Sequence, residues 1–164
     1  MKRITALLIS LMVMGPLVLA AGERGDKVLE QARLYREEGY RLQNSGQINE
    51  AYALYSKAVA IDPTFTEVYN DLGVVLEMKG DLNAAEQAYL QAVEQNPEYL
   101  PVYANLGFLY EKKMDREKAG YYWLQRFQKG EPGDYWHEVA CQHLIELGTY
   151  DEAMRWVRER QAAD

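Results

Sequence analysis

The sequence predicts an all-α chain in which pairs of helices repeat and stack into a solenoid. Two stretches with one layout support this: YNDLGVVLEMKG begins at Tyr69, and YANLGFLYEKKM begins at Tyr103, 34 residues later. Apolar and small residues in both stretches follow helical spacing. A period of this length is typical of repeat proteins, in which each helix pair buries its apolar face against a neighbouring pair.

The 34-residue period runs through most of the chain. Units that start at Ala32, Thr66, Leu100 and Asp134 align without insertion. Position 8 is glycine and position 24 is aromatic in the first three units, while position 20 is alanine in all four. These residues are Gly39, Gly73 and Gly107, then Tyr55, Tyr89 and Trp123, then Ala51, Ala85, Ala119 and Ala153. We expect the small residues at the crossing of the two helices of a unit, with the aromatic ring beside them.

Turn residues divide each unit into two helices. Glycines that suit a helix C-terminus stand at position 15, as Gly46, Gly80 and Gly148. Asp81 and Asp115 follow as N-caps of the second helix, and Pro63 and Pro97 end that helix. The stretch from Thr64 to Glu67 has the pattern of a capping box for the next unit.

The first twenty residues have the layout of a secretory signal peptide. Lys2 and Arg3 precede an uncharged, mostly apolar run from Ile4 to Met14, and Val18 and Ala20 occupy the two positions that a signal peptidase reads. An uncleaved membrane anchor is the alternative, because the apolar region extends to residue 21 and is barely long enough to span a bilayer. The layout and the repeat array together predict an exported protein, with the bacterial periplasm as the expected compartment.

Charge and cysteine content narrow the function classes. Without the leader the chain has 16 basic and 25 acidic side chains, a net charge of −9, which disfavours binding to nucleic acid or anionic lipid. Cys141 is the single cysteine, so it can form no internal disulfide, and no cysteine directly follows the leader to carry a lipid anchor. The predicted organisation is a signal peptide at 1–20, a lead-in at 21–31, and units at 32–65, 66–99, 100–133 and 134–164, the last one degenerate.

Only one pair of residues suggests chemistry. His137 and Cys141 lie four residues apart on one face of a helix, but both occupy positions that are packing sites in the other units. A free cysteine there is expected to behave as a small hydrophobe. The sequence therefore predicts no catalytic residue, no metal site and no cofactor, although an enzyme or redox protein that depends on Cys141 stays open as an alternative.

The second unit resembles the tetratricopeptide repeat (TPR). The residues that carry the resemblance are Tyr69, Leu72, Gly73, Leu76, Ala85, Tyr89 and Pro97. The resemblance extends over 32–164, with Glu38 in place of a leucine in the first unit and a divergent start in the fourth. It implies a right-handed α-solenoid of about four TPR helix-turn-helix repeats. Proteins of this family typically hold peptide segments of partners in a concave groove lined by the first helix of each pair.

The resemblance places positions 2, 5, 6, 9, 12 and 13 of each unit on the groove. The residues expected to bind a peptide there are Arg36, Tyr40, Asn70, Val74, Glu77, Asn105, Phe108, Glu111 and Gln142. Tyr40, Val74 and Phe108 share position 9 and predict an apolar stripe, which carboxylates flank more often than cations. The expected partner is therefore a protein segment with apolar and basic residues.

Two further expectations follow from the groove residues and from the end of the array. The variety of the family that grips chaperone C-termini through a basic clamp needs side chains that this chain lacks, since Arg36 alone is chemically similar at the clamp positions. The apolar residues at the end of the fourth unit have no predicted neighbour, so a structural module that self-associates through this end stays open as an alternative. The sequence nevertheless favours a non-enzymatic scaffold. Analogy with similar exported proteins suggests a role in the assembly of envelope complexes.

Overall fold

The computed structural model describes residues 26–151, 154, 155 and 158, and every regular element in that part of the chain is a helix. Helix α1 covers residues 26–44, and the described residues from 150 onward are helical and form α8. Between them lie α2 (Ile48–Ile61), α3 (Thr66–Met78), α4 (Leu82–Gln95), α5 (Pro101–Lys112), α6 (Arg116–Lys129) and α7 (Tyr135–Glu146). The predicted all-α solenoid is confirmed. Among the described helices, none combines the length and the apolar character that a bilayer crossing requires.

The turns inside the units follow the predicted chemistry. Gly46, Gly80 and Gly148 have φ angles of 82°, 84° and 71°, a left-handed conformation in which glycine costs least. Asp81 and Asp115 accept hydrogen bonds from the backbone N–H groups of Ala84 and Lys118, at 3.0 and 3.1 Å. Each of these two caps therefore fixes the start of a second helix.

The capping box predicted at Thr64 is wrong. Phe65 is the N-cap of α3 and makes no side-chain capping bond. The hydroxyl of Thr64 instead donates to Asp62 Oδ1 at 2.7 Å, and the backbone N–H of Thr64 donates to the same oxygen at 3.0 Å. Asp62 follows the end of α2, and its carboxylate is an acceptor only two residues from Thr64. This local turn therefore engages the threonine hydroxyl that a capping box would need.

Met114 stands where the other three units have the helix-ending glycine, and its φ angle of 60° is left-handed. We expect Met114→Gly to raise the free energy of unfolding by about 1 kcal/mol, because glycine relieves the Cβ strain of this conformation. Urea denaturation followed by far-UV circular dichroism measures the change. The reverse replacement, Gly80→Ala, serves as the matched control and should lower stability by a similar amount.

The two helices of a unit cross where the sequence predicts. A Cβ atom built on Gly39, Gly73 or Gly107 would lie within 2.7 Å of the position-24 ring of the same unit. Ala51, Ala85 and Ala119 are fully buried, while the fourth equivalent, at residue 153, lies outside the described residues. Glycine at position 8 is therefore required for the ring to fill the crossing.

The outer face of α1 differs from its counterparts in later units. Position 7 is the buried Leu72 in the second unit and position 10 is the buried Val75. The first unit has Glu38 and Arg41 at these positions, and the two side chains form an ion pair on the surface. This face of α1 is therefore polar at two positions where α3 is apolar, which suits an end face of a stacked array, while Leu34 on the same face is apolar and exposed.

Candidate functional site

The first helices of successive units lie side by side and join through polar side chains. The Arg36 Nε of α1 donates to Asp71 Oδ2 of α3 at 2.7 Å. The Asn105 Nδ2 of α5 donates to Asn70 Oδ1 of α3, also at 2.7 Å. Each pair is 35 residues apart, so the two pairs repeat the same contact along the floor of the predicted groove.

Burial distinguishes the members of these pairs. Asn70 and Asp71 are almost fully buried, whereas Arg36 and Asn105 are half-buried. Burial raises the pKa of Asp71, and the hydrogen bond and charge of Arg36 oppose that shift. Arg36 and Asn105 are therefore the members of the two pairs that a bound segment could reach, while Asn70 positions Asn105 from below.

Position 12 of each of the first three units accepts a hydrogen bond from the buried aromatic ring at position 24. These bonds run from Tyr55 to Gln43 at 3.0 Å, from Tyr89 to Glu77 at 2.7 Å, and from Trp123 to Glu111 at 2.7 Å. A buried hydroxyl or indole N–H needs an acceptor. The predicted groove residues Glu77 and Glu111 therefore also hold the helix crossings together, a role that the constant 12-residue spacing could have indicated.

The predicted apolar stripe lies on three consecutive first helices. Tyr40 of α1 is 55% exposed and Phe108 of α5 is 38% exposed. Val74 lies on α3, the first helix of the unit between these two, and is half-buried. Gln142, the predicted site residue on α7, is exposed and donates to Glu146 at 2.8 Å. Their participation in binding stays a prediction.

Phe108 belongs to an aromatic cluster that joins α5, α6 and α7. Its ring centroid lies 4.8 Å from that of Trp123, 5.1 Å from that of His143 and 6.5 Å from that of Trp136. Trp123 and His143 stack at 4.2 Å, and His143 Nδ1 lies 2.8 Å from Glu111 Oε1. Phe108 therefore packs on a base of buried and half-buried rings.

A cleft of about 500 Å³ lies at the other end of the groove. Its walls are formed by Arg33, Arg36, Glu37, Tyr40 and Phe65. Phe65 comes from the turn before α3, and the Arg36 guanidinium lies 5.7 Å above its ring. The cleft thus combines aromatic surface with two guanidinium groups and one carboxylate.

The residues considered for chemistry are engaged in packing. His137 stacks on Phe127 at a centroid distance of 4.3 Å, and the His137 Nδ1 lies 3.1 Å from the carbonyl oxygen of Phe127. Cys141 is half-buried and packs against the core. Within residues 26–151 and the few described beyond them, no group of three potential metal ligands occurs.

The buried tyrosines predict a loss of stability at alkaline pH. Burial raises the pKa of Tyr55 and Tyr89, and the hydrogen bond to Glu77 raises that of Tyr89 further. Because the folded-state pKa exceeds the unfolded value of about 10, this contribution is complete below about pH 10 and is lost as the pH rises above it. We expect the urea midpoint of the wild-type chain to be lower at pH 11 than at pH 9. The decrease should be smaller in Tyr89→Phe and the same as in the wild type in the exposed control Tyr121→Phe.

Comparison with known proteins agrees with this architecture. A model of the tetratricopeptide repeat family matches residues 42–107. Over these residues the chain is similar to tetratricopeptide repeats. No match is found among curated proteins.

Solved structures share the TPR fold over most of the chain. The first TPR of Spaghetti (RPAP3), bound to the HSP90 peptide SRMEEVD, is 20% identical with a TM-score of 0.64 and covers 77% of this chain and 94% of its own. MamA is 24% identical with a TM-score of 0.64 and covers 85% and 88%. The Yersinia enterocolitica type III secretion chaperone SycD, in complex with a peptide of the translocator YopD, is 11% identical with a TM-score of 0.66 and covers 74% and 93%.

Proposed function

We propose that this protein is a non-enzymatic scaffold that binds a segment of another protein in the groove formed by α1, α3, α5 and α7. The observation that carries the proposal is the row of Tyr40, Val74 and Phe108 at one position of three adjacent first helices, with both rings exposed. Contiguous exposed apolar surface is typical of interaction sites. Two structures with the same fold, Spaghetti and SycD, hold peptides, which supports a peptide as the ligand.

The charges of the groove favour a partner segment with apolar and basic residues. Predicted groove positions carry the carboxylates Glu37, Asp71, Glu77, Glu111, Glu138 and Glu146 against the cations Arg33, Arg36 and Lys112. All three of those cations are engaged, since Arg36 pairs with Asp71, the Arg33 Nη1 lies 3.6 Å from Glu30 Oε2 and the Lys112 Nζ lies 3.9 Å from Glu77 Oε2. The excess of negative charge would attract a basic segment and accelerate its association.

We further propose that the protein is exported and acts in the bacterial periplasm, in the assembly of envelope complexes. The leader-like layout of residues 1–20 supports export. N-terminal sequencing of the protein recovered from a periplasmic extract tests this step. The expected first residue is Ala21, whereas a chain that retains Met1 in the membrane fraction would contradict export with cleavage.

A crosslinking experiment tests the groove. A photoreactive amino acid at position 74 should crosslink to partner proteins in an envelope extract, while the same group at position 121, on the exposed surface of α6, should not give those products. The Tyr40→Ala, Phe108→Ala double variant should lose them. Identical products from all three proteins would overturn the proposed function.

A further inference from the structure

We propose, on the basis of the function above, that the groove between α5 and α7 contains a subsite for a basic side chain, lysine or arginine, of the partner segment. In this subsite the aromatic face of α5 and α7 packs against the stem of the side chain, and the carboxylates beside that face receive its charge. Glu146 and Trp136 are the specificity-determining residues.

An exposed aromatic face forms one half of the subsite. Phe108, Tyr135 and Trp136 are 38%, 71% and 41% exposed, and their rings form a chain with centroid distances of 6.5 and 5.4 Å. The stacked pair of Trp123 and His143 supports Phe108 from within the protein. The face is therefore both exposed and held in place, and such preorganisation favours binding.

A cleft of about 340 Å³ forms the other half. It is lined by Glu111, Met114, Arg116, Glu146 and Leu147. Glu111 stands one helical turn after Phe108, about 5 Å along the axis of α5. Because Glu111 also contacts His143, which packs on Phe108, the cleft and the aromatic face form one continuous surface.

The charged groups of the cleft are mainly negative. It contains two carboxylates against one guanidinium and lies where α5 and α7 end, and the C-terminus of a helix carries partial negative charge. The start of α6 also lies there, and the carboxylate of its N-cap Asp115 offsets the partial positive charge of that helix end. Both described hydrogen bonds of Glu111 go to Oε1, so Oε2 is the oxygen available to a cation. The one cation of the cleft, Arg116, donates from Nη2 to the carbonyl oxygen of Leu147 at 2.9 Å and is thereby committed to the end of α7.

The negative charge of the cleft is complementary to a lysine or arginine side chain and would repel an acidic one. A long basic side chain can lay its methylene stem and its charge on an aromatic ring and reach a carboxylate beyond it. The cleft at α1 suits a cation less well, because Arg33 and Arg36 line it beside a single carboxylate, Glu37. The preference for a basic residue is therefore expected at the α5–α7 end of the groove.

Selection from a random dodecapeptide library displayed on phage tests the subsite. The wild-type chain should enrich peptides with lysine or arginine one or two residues from an aromatic or aliphatic residue, because an extended strand rises about 3.3 Å per residue and covers the roughly 5 Å from Phe108 to Glu111 in that number of residues. Glu146→Lys should lose the basic preference. Glu94→Lys makes the same charge change on the exposed surface of α4 and should keep it.

The affinity of one selected peptide, measured by fluorescence anisotropy, gives the second readout. We expect Kd to rise about 5- to 20-fold in Glu146→Lys and in Trp136→Ala, and to stay unchanged in Glu94→Lys, with folding of each variant checked by circular dichroism. Enrichment without basic residues, or a basic preference that survives in Glu146→Lys, would overturn the subsite alone. Failure to enrich any peptide, or binding unaffected by the Tyr40→Ala, Phe108→Ala variant, would overturn the proposed function as well.

Discussion

Gly73→Ala is expected to lower the free energy of unfolding by about 3 kcal/mol, the upper end of the usual range for overpacking a core. The new Cβ atom would lie 2.3 Å from Cε1 and 2.4 Å from Cδ1 of Tyr89. That ring cannot move aside, because it is buried and its hydroxyl donates to Glu77 at 2.7 Å. The clash would therefore separate α3 from α4 and expose the core of the second unit.

Gly80→Ala separates this steric effect from the effect of removing a glycine. Gly80 has a left-handed φ angle and open space around the position of a Cβ atom, so alanine there should cost about 1 kcal/mol through backbone strain alone. Urea denaturation followed by far-UV circular dichroism compares the two variants. Equal losses would show that the approach of Gly73 to Tyr89 is not what requires glycine.

The helix crossing could be predicted from the sequence because one steric requirement recurs at a fixed period. Gly73 and Gly107 stand at the same position of successive units, and each faces the ring, Tyr89 or Trp123, that stands 16 residues later. A residue that must be small leaves a sharp signal in one sequence when the unit is repeated. The turn glycines are predictable for the same reason, and Met114 shows that the backbone keeps its left-handed conformation even where the glycine is absent.

The polar contacts of the groove could not be predicted in the same way. Repeat position identified Arg36, Asn70 and Asn105 as groove residues, but it did not indicate that Arg36 pairs with Asp71 or that Asn105 donates to Asn70. Polar residue types at these positions vary between units, so periodicity alone gives no partner. The pairs depend on the distance between neighbouring first helices, and only the packed structure provides that distance.

Trp123→Ala is expected to have the largest effect of all, a loss of about 4 kcal/mol in the free energy of unfolding, as is usual for the truncation of a buried tryptophan. Trp123 is fully buried. It stacks on His143 of α7, meets Phe108 of α5 edge to face, and donates from Nε1 to Glu111. Its removal would leave a cavity at the place where three helices meet, so the third and fourth units would lose their common core.

Two variants separate the ring from its polar atom and from its neighbours. Trp123→Phe keeps an aromatic ring but leaves Glu111 without the indole donor, and should cost about 1 to 2 kcal/mol. Trp136→Ala removes a tryptophan that is 41% exposed and should cost less than Trp123→Ala, because less apolar surface returns to water. Far-UV circular dichroism in urea suits all three variants, since it does not depend on the deleted fluorophore. If Trp123→Ala were no less stable than Trp136→Ala, the third and fourth units would have to be joined by contacts other than this ring.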